Sequence, residues 1–371
     1  MKIAFVSTFY PYRGGIAQFN AALFNALSEK HEVKAFNFSV QYPKLLFPGK
    51  TQYVTESDNP TQIESERILN AVNPISYRLT VNEVKKYKPD LVVIGYWMPF
   101  MAPSLGFVAK QMRKDCKVVA IVHNAIPHEQ SKLDDTLSNY FFKNLDRVVA
   151  LSNQVKSDII RKYPRVKVKT LHHPVYEHFG DAVSKDSAID YLSLQKDKKY
   201  LLFFGLIRPY KGLDLAIKGL KLLPEDFHLV IAGESYEDFS KYEKLIKECS
   251  VEKRVHCFQK YIPDDEVKYF FSLADACVLP YRSATQSGVI AIAKHFNTPV
   301  FSTDVGGLSE FIEDGKNGVL IENQDEELLA KKILMAFEND ELEEFRKNLI
   351  SEKTVSSWGD FSTELVNFIQ D

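Results

Sequence analysis

The sequence predicts an α/β protein with two doubly wound parallel-sheet (Rossmann-like) domains facing each other across a cleft. Short apolar runs alternate with segments whose apolar residues recur at helical spacing, a pattern typical of parallel sheets covered by helices on both faces. A charged stretch, 177–198, interrupts the alternation near the middle of the chain. At 371 residues the chain is long enough for two domains. Two such domains would leave a ligand cleft at the carboxyl ends of their strands.

The first half of the chain predicts an N-terminal domain over residues 1–180. Its first strand is KIAFVS (2–7), and the helix that follows, 16–30, repeats apolar residues at Ile16, Phe19, Leu23 and Leu27. Further strands are predicted at 31–36, 90–97, 117–123, 147–152 and 165–173, with helices at 103–113 and 132–143. Residues 37–60 are rich in aromatic residues and proline and predict a long loop, which is often functional in a compact domain.

The second half repeats the alternation and predicts a C-terminal domain over 195–352. Strands are predicted at 200–205, 227–233, 254–259, 276–281, 299–303 and 318–322. Helices are predicted at 211–222, 237–250, 263–273, 286–296, 325–338 and 340–350. A last helix, 358–370, carries Trp358 and Phe361, which are candidates for burial against the first domain.

Composition excludes several classes of protein. The hydrophobic share of 45% and the charged share of 26% are those of a soluble globular protein, and a net charge of −2 gives no field that favours nucleic acid. The four cysteines form no CxxC pair and indicate a reduced, cytoplasmic protein. We find neither a signal peptide nor an apolar run approaching the ~20 residues of a membrane span, so we expect at most peripheral membrane contact.

The stretch KYLLFFGLIRPYKGLD (199–214) predicts an anion site. A buried strand delivers two cations, Arg208 and Lys211, to a loop where a helix begins. Two fixed cations and the positive end of a helix dipole suit a phosphate group. On spacing alone, solvated loop charges are an equally good interpretation, because Lys and Arg are common on protein surfaces.

Two other strand ends carry candidate residues. Gly14 and Gly15 lie between the first strand and the first helix, where backbone could approach an anionic ligand closely, although a plain turn is the simpler interpretation. His123 and Asn124 follow another strand and could point into the cleft, or His123 could be a structural histidine. No spacing supports a metal site here, and the G-x-G-x-x-G fingerprint of a dinucleotide-binding oxidoreductase is absent.

Two long motifs carry a family resemblance. FFGLIRPYKGLDLAI (203–217) and FSTDVGGLSEFIEDGKNGVLI (301–321) resemble the donor-phosphate loop and a C-terminal motif of family 4 glycosyltransferases, enzymes of the GT-B fold. The likeness covers nearly the whole chain in the expected order. It implies a retaining hexosyltransferase that moves a sugar from a nucleotide-sugar to a saccharide, glycolipid or other acceptor, without a cofactor. It also implies that the C-terminal helix, 356–371, crosses back to the first domain.

The resemblance assigns roles to particular residues. Arg208 and Lys211 would neutralise the leaving diphosphate, and His123 would hydrogen-bond the donor sugar. The loop with Gly14 and Gly15 would touch the diphosphate and the sugar. The remaining assignments are Tyr261 and Ile262 for the nucleotide base, and His128 and Glu129 for the acceptor.

The chain departs from the family pattern where a Glu-x7-Glu pair is usual. Counted back from Pro299, these two positions are Ala284 and Ile292, whose side chains cannot accept a hydrogen bond. Thr285, Gln286, Ser287 and Gly288 remain at a predicted helix start, where hydroxyl and free N–H groups still suit a diphosphate. The usual family arginine is replaced by Leu206, and we expect Arg208 to reach the same phosphate.

No D-x-D motif occurs, so a metal-dependent GT-A mechanism is not indicated, and we expect Arg208 and Lys211 to stabilise the leaving diphosphate without a metal ion. The lost carboxylates leave a second hypothesis open, a non-catalytic protein of the same fold that binds a nucleotide-sugar or a glycan. An epimerase or phosphorylase of the GT-B fold is a weaker third interpretation.

Overall fold

The computed structural model describes residues 1–43, 51–55, 60–126, 133–174, 179–352 and 357–370. These residues form two compact units. The first unit comprises the described residues of 1–174 together with 357–370, and the second comprises 179–352. His128 and Glu129 lie outside the described residues.

The first unit is built on a seven-stranded parallel sheet with strand order β3-β2-β1-β4-β5-β6-β7. The strands are β1 Lys2–Val6, β2 Glu32–Val40, β3 Ser65–Asn70, β4 Leu91–Tyr96, β5 Lys117–Val122, β6 Arg147–Ala150 and β7 Lys167–Thr170. The helices are α1 Gly15–Ser28, α2 Pro74–Tyr87, α3 Ala102–Met112, α4 Asp134–Phe142 and α5 Asn153–Lys162. The last helix of the chain, α13 Trp358–Gln370, packs against α1 in this unit.

The second unit has a six-stranded parallel sheet with strand order β10-β9-β8-β11-β12-β13. The strands are β8 Lys199–Phe204, β9 Phe227–Ala232, β10 Val255–Phe258, β11 Ala276–Leu279, β12 Val300–Thr303 and β13 Gly318–Ile321. The helices are α6 Lys185–Leu192, α7 Leu213–Lys221, α8 Ser240–Glu248, α9 Asp264–Leu273, α10 Gly288–His295, α11 Glu326–Glu338 and α12 Glu341–Glu352.

Apolar strands sandwiched between helices explain why both sheets are parallel and buried. Every residue of β4, β9 and β11 is buried, as expected for strands covered on both faces. In the first unit, α2, α3, α4 and α5 cover one face of the sheet, while α1 and α13 cover the other. The predicted fold class, two α/β domains with doubly wound parallel sheets, is confirmed.

The structure corrects the predictions for five segments. β3, α2 and α5 are additional elements, and β2 continues to Val40 into the stretch predicted as a loop. The charged stretch 177–198, predicted as the domain boundary with no helix assigned to it, contains α6. This helix packs against α9 of the second unit, where the rings of Tyr191 and Tyr269 stack at 3.8 Å. Its charges lie on the solvent face of an amphipathic helix, because Ala188, Ile189 and Leu192 face inward.

Candidate functional site

The strand order of the second sheet reverses between β8 and β11, and the loops after these two strands lie side by side. β9 and β10 extend the sheet on one side of β8, and β12 and β13 extend it beyond β11. Such a reversal leaves a crevice outside the carboxyl ends of the strands, where doubly wound proteins bind ligands. Arg208 and Lys211 follow β8, and residues 284–288 follow β11. The fold therefore places the predicted phosphate-binding residues of this unit at one edge of the sheet.

Lys211 is a buried lysine at this reversal point. Its side chain is 8% exposed, and its Nζ lies 5.4 Å from the centre of the Tyr281 ring. A Cβ added to Gly205 would lie 3.3 Å from Nζ, so the ammonium group sits directly beside the backbone at the end of β8. Within the described part of the chain, no carboxylate forms an ion pair with Lys211. A buried cation without a counter-ion is poised for an anionic ligand.

Burial changes the titration of groups around Lys211. It lowers the pKa of Lys211 from 10.5 to about 8, and the nearby charge of Arg208 also lowers it. Burial raises the pKa of the Cys277 thiol to about 12, and it also raises the pKa of the Tyr281 hydroxyl. Cys277 and Tyr281 therefore stay neutral near neutral pH, and neither supplies a negative charge to Lys211.

Arg208 lies on the other side of the same loop. Its guanidinium carbon is 4.9 Å from the centre of the Tyr236 ring, in cation–π contact. Tyr236 follows β9, and its backbone N–H donates to the carbonyl of Ile207 at 3.2 Å. The loop after β9 therefore supports the β8 loop and holds the arginine over an aromatic ring.

The first turn of α10 completes this group of residues. Val289 in that turn approaches Gly205, since a Cβ on Gly205 would lie 3.5 Å from Val289 Cγ2. Ser287 is the N-cap residue and makes no capping hydrogen bond through its side chain, and its Oγ lies 3.5 Å from Tyr281 Oη. Val289, in the first turn of this helix, thus lies on the side of Gly205 where Lys211 lies. The free N–H groups at a helix start suit phosphate oxygens.

The positions of the missing carboxylates, Ala284 and Ile292, are both buried and apolar. Ala284 instead contributes its backbone, because its carbonyl accepts a hydrogen bond from Gly307 N at 3.2 Å. Gly306 has φ 57° and passes so close that a Cβ there would lie 1.7 Å from the Ala284 oxygen. The second family motif, 301–321, therefore supports the loop after β11 through the backbone of Gly306 and Gly307.

Arg282 fixes the cationic loop to the loop after β11. Its two terminal nitrogens donate to the two carboxylate oxygens of Asp214 at 2.9 and 2.6 Å. It also donates to the carbonyl of Pro209 at 3.0 Å, and its backbone N–H donates to the carbonyl of Tyr210 at 2.6 Å. This bidentate arginine spans both sides of the loop that ends at Lys211.

The predicted base-binding residues follow β10, two strands away from β8. Ile262 is buried, and Tyr261 is half-buried. Gly233 connects the two regions, because its N–H donates to the carbonyl of Phe258 at 3.1 Å and it passes beside Gly205. Tyr261 and Ile262 therefore lie at the same carboxyl edge of the sheet as Lys211.

In the first unit, the predicted residues gather around α1. Gly14 caps the helix with φ 106°, and a Cβ there would meet no atom within 4 Å, so this backbone is open to a ligand. Gly15 is the first residue of the helix. Phe19, one turn later, contacts His123 with the ring centres 4.8 Å apart. The start of α1, with Gly14 and Gly15, and the end of β5, which His123 follows, are therefore neighbouring parts of the first unit.

His123 is buried, and the half-buried His173 lies close to it. Burial lowers the pKa of His123 to about 3, with a smaller contribution from His173, and burial lowers the pKa of His173 to about 4. His173 Nδ1 donates to the carbonyl of Pro174 at 2.5 Å, and both imidazoles contact the Phe19 ring. Both histidines are neutral near neutral pH, so His123 can take part in hydrogen bonds without adding charge.

Sequence reasoning missed the residues that surround the predicted ones. Tyr236, Tyr281, Arg282 and His173 each follow a strand directly or within a few residues, which is the signal that could have identified them. In the part of the chain that the structure describes, no three His, Cys, Asp or Glu side chains gather where they could hold a metal ion. Among the same residues, no helix is both long and apolar enough to cross a membrane.

Family models match both halves of the chain. A model described as Glycosyltransferase Family 4 matches residues 13–178, and a model of group 1 glycosyl transferases matches residues 184–354. Similar proteins include an uncharacterized glycosyltransferase of Methanocaldococcus jannaschii, 26% identical over 370 residues that cover 96% of each protein. Spore coat protein SA of Bacillus subtilis is 24% identical over 86% of this chain and 85% of its own length.

Solved structures show the same fold. HepE of Anabaena in complex with UDP matches with a TM-score of 0.79 and 15% identity over 100% of both chains. Sucrose-phosphate synthase from Thermosynechococcus elongatus matches with a TM-score of 0.76 and 18% identity, covering 100% of this chain and 98% of its own. The two family models together match most of the chain in the order that the motifs predict, and both units have the parallel-sheet architecture of GT-B enzymes. The chain belongs to the family 4 glycosyltransferases of the GT-B fold.

Proposed function

We propose that this glycosyltransferase moves a sugar from a nucleoside-diphosphate sugar to a saccharide, glycolipid or other acceptor, with retention and without a metal ion. The observation that carries the proposal is Lys211, a buried ammonium group without a carboxylate partner among the described residues, located beside Gly205 and the start of α10. UDP is the first nucleotide to test, because similar HepE structures contain UDP and UDP-glucose. Retention is proposed from the family resemblance of the motifs.

In this proposal, Lys211 and Arg208 stabilise the charge that develops on the departing diphosphate. Fixed positive charge at the leaving group is often a large contribution to catalysis, because it needs no reorganisation during the reaction. One pH unit below its pKa of about 8, about nine-tenths of the Lys211 side chains are protonated. Lys211 therefore acts as a cation and not as a general base.

The other candidate residues orient the donor. The N–H groups of the α10 first turn, behind Thr285, Gln286 and Ser287, would bind phosphate oxygens. Neutral His123 would hydrogen-bond the transferred sugar, and the open backbone at Gly14 and Gly15 would approach the donor closely. Tyr261 and Ile262 would contact the base.

Donor turnover tests this proposal. The purified protein is incubated with UDP-, GDP- and ADP-sugars in EDTA, and release of nucleoside diphosphate is measured with and without sugar acceptors. We expect turnover with one nucleotide class, a loss of at least a hundredfold in Lys211→Met, and no change in the control Lys221→Met, an exposed lysine of α7. Proton NMR of the product reports its anomeric configuration, and an inverted product would contradict retention.

Ala284 and Ile292 support a second candidate function, a non-catalytic protein that binds a nucleotide-sugar or a glycan. Two apolar side chains occupy the positions where the family usually has carboxylates for the donor sugar and the ribose. Binding of a nucleoside diphosphate that depends on Lys211, together with no turnover of any donor with any acceptor, would favour this second function over transfer.

A further inference from the structure

A buried carboxylate follows β9 at the carboxyl edge of the second sheet. Glu234 lies two residues beyond Ala232, the last residue of that strand, and is 5% exposed. Gly233, between them, passes beside the backbone of Gly205 at the end of β8. A carboxylate is seldom buried unless hydrogen-bond donors or cations surround it, because burial removes its hydration. Since ligands bind at this edge of a doubly wound sheet, Glu234 is a candidate to accept hydrogen bonds from a ligand.

The backbone at Glu234 continues the parallel pairing of β8 with β9. The N–H of Gly205 donates to the carbonyl of Ala232 at 2.9 Å. Two residues further along both strands, the N–H of Ile207 donates to the carbonyl of Glu234 at 2.9 Å. Side chains two residues apart in a strand face the same side of the sheet. Glu234 therefore faces the same side as Ala232, away from Ile231, which lies in the core shared with α7 and α8.

Two neighbouring residues show the two sides of the loop after β9. On one side, Glu237 accepts a hydrogen bond from Tyr242 Oη of α8 at 2.8 Å. On the other side lies Tyr236, two residues after Glu234, whose backbone N–H continues the same ladder. The guanidinium carbon of Arg208 lies 4.9 Å from the centre of the Tyr236 ring. Glu237 therefore fastens the loop to α8, whereas Glu234 lies on the side of the loop where Arg208 lies.

Strand order places Glu234 between the two ends of a bound nucleotide. The sheet runs β10, β9, β8, β11, and neighbouring strands lie about 4.8 Å apart. In the proposed function, the base contacts Tyr261 and Ile262 after β10, and the diphosphate contacts Arg208 and Lys211 after β8. The ribose, which joins the base to the diphosphate, then lies over the end of β9, beside Glu234. This step depends on the proposed function.

We propose that the Glu234 carboxylate binds the hydroxyl groups of the nucleotide ribose and so selects ribonucleotides over deoxyribonucleotides. Each oxygen of a carboxylate can accept a hydrogen bond from one hydroxyl of a diol, and hydrogen bonds to a charged acceptor are stronger than neutral ones. Ala284 and Ile292, near the end of β11, cannot make this contact, because their side chains accept no hydrogen bond. A site that hydrogen-bonds a hydroxyl group rejects analogues that lack it. Glu234 is therefore a specificity-determining residue of the second unit.

Calorimetric titration with ribose analogues tests the role of Glu234. The whole protein is titrated with UDP, 2′-deoxy-UDP and 3′-deoxy-UDP, and with the matching forms of GDP and ADP. We expect the ribonucleotide that binds best to bind at least about tenfold more tightly than one of its deoxy forms. In Glu234→Gln this preference should fall to about twofold, because a neutral amide oxygen accepts a weaker hydrogen bond. Glu234→Ala should also lose the preference, so the test does not depend on one variant.

Glu237→Gln is the matched control, because it makes the same substitution in the same loop at a residue that contacts α8. This variant should keep the preference for ribose even if it unfolds at a lower temperature. No preference in the unmodified protein, an unchanged preference in Glu234→Gln, or an equal loss in Glu237→Gln would overturn the role of Glu234 and leave the transferase proposal standing. If no nucleoside diphosphate binds, the result contradicts the proposed function as well.

Discussion

The buried positive charge of Lys211 makes the ligand-free protein less stable. Its pKa is lowered from 10.5 to about 8 by burial, which corresponds to roughly 3 kcal/mol against the charged form in the folded state. Between these two pH values the unfolded chain binds more protons than the folded one, so the stability of the ligand-free protein should rise with pH across that window. Below a pH of about 8, Lys211 is charged in the folded and in the unfolded protein, so the full free-energy cost of burying this charge remains.

We therefore expect Lys211→Met to stabilise the protein while it abolishes nucleotide binding. Near neutral pH the variant should unfold a few degrees above the unmodified protein, because an apolar side chain of similar length replaces a buried cation. Thermal unfolding with and without UDP measures both effects. A lower unfolding temperature for the variant would show that Lys211 already has a stabilising partner without ligand.

Binding of nucleotide should depend on pH through the same group. A bound diphosphate favours the ammonium form, so affinity should be greatest below a pH of about 8 and fall by up to about tenfold per pH unit above it. Arg208→Gln should weaken binding at every pH and move this bend to a slightly higher pH, because the charge of Arg208 lowers the pKa of Lys211. Calorimetric titration across the alkaline range measures the profile, and a dissociation constant that does not change with pH would contradict the role given to Lys211.

At the scale of elements, Arg282 and Asp214 hold the cationic loop in position. Arg282 bonds to Asp214, to the carbonyl of Pro209 and to that of Tyr210. We expect Arg282→Ala to lower nucleotide affinity about tenfold, since the loop that presents Arg208 and Lys211 loses these bonds.

Arg346 provides the control for that variant. It donates to the backbone carbonyl of Asp275 at 3.0 Å, away from the cationic loop. Arg346→Ala should lower stability and leave nucleotide affinity unchanged. Equal losses of affinity in the two arginine variants would mean that Arg282 acts only through the general stability of the unit.

Gly212 fixes the turn between Lys211 and α7. It has φ 68°, and a Cβ there would lie 1.9 Å from the carbonyl oxygen of Pro280. Gly180 also has a positive φ, of 76°, but a Cβ there would meet no atom within 4 Å. Gly212→Ala should therefore destabilise the protein much more than Gly180→Ala, which should cost only the ~1–2 kcal/mol of backbone strain. Urea unfolding measures both, and equal effects would show that the loop after β11 moves to accommodate the methyl group.

Most elements could be predicted because their apolar residues follow the period of a strand or a helix, as in β8 and α7. β3 could not, because SERILN is a half-buried edge strand with only Leu69 fully buried. α2 could have been predicted from Asn73-Pro74, a helix start signal, followed by apolar residues at Tyr77, Val81 and Val84. Its exposed Ile75 and Leu79 obscure the polar face that normally identifies such a helix.

At the scale of the whole molecule, each unit has a sheet whose strand order reverses once. In the first sheet the reversal lies between β1 and β4, and in the second between β8 and β11. Gly14 and Gly15 follow β1, and Arg208 and Lys211 follow β8, so the motifs predicted from the sequence lie at the topological switch points. The position of these motifs at strand carboxyl ends could be predicted from the sequence, whereas the strand order that makes these ends switch points comes from the structure. The contacts of Tyr236, Tyr281 and Arg282 could not, because they depend on the paths of the loops.

Calorimetric titration with UDP in EDTA tests most directly whether the second unit binds a nucleoside diphosphate at the reversal between β8 and β11. We expect the unmodified protein and Lys221→Met to bind equally, Arg208→Gln to bind more weakly, and Lys211→Met to show no measurable binding. GDP, ADP, CDP and dTDP are titrated in the same way, so that the choice of nucleotide does not decide the outcome. Unchanged binding in Lys211→Met would place the phosphate site elsewhere, and no binding of any of these nucleotides would contradict the proposed site altogether.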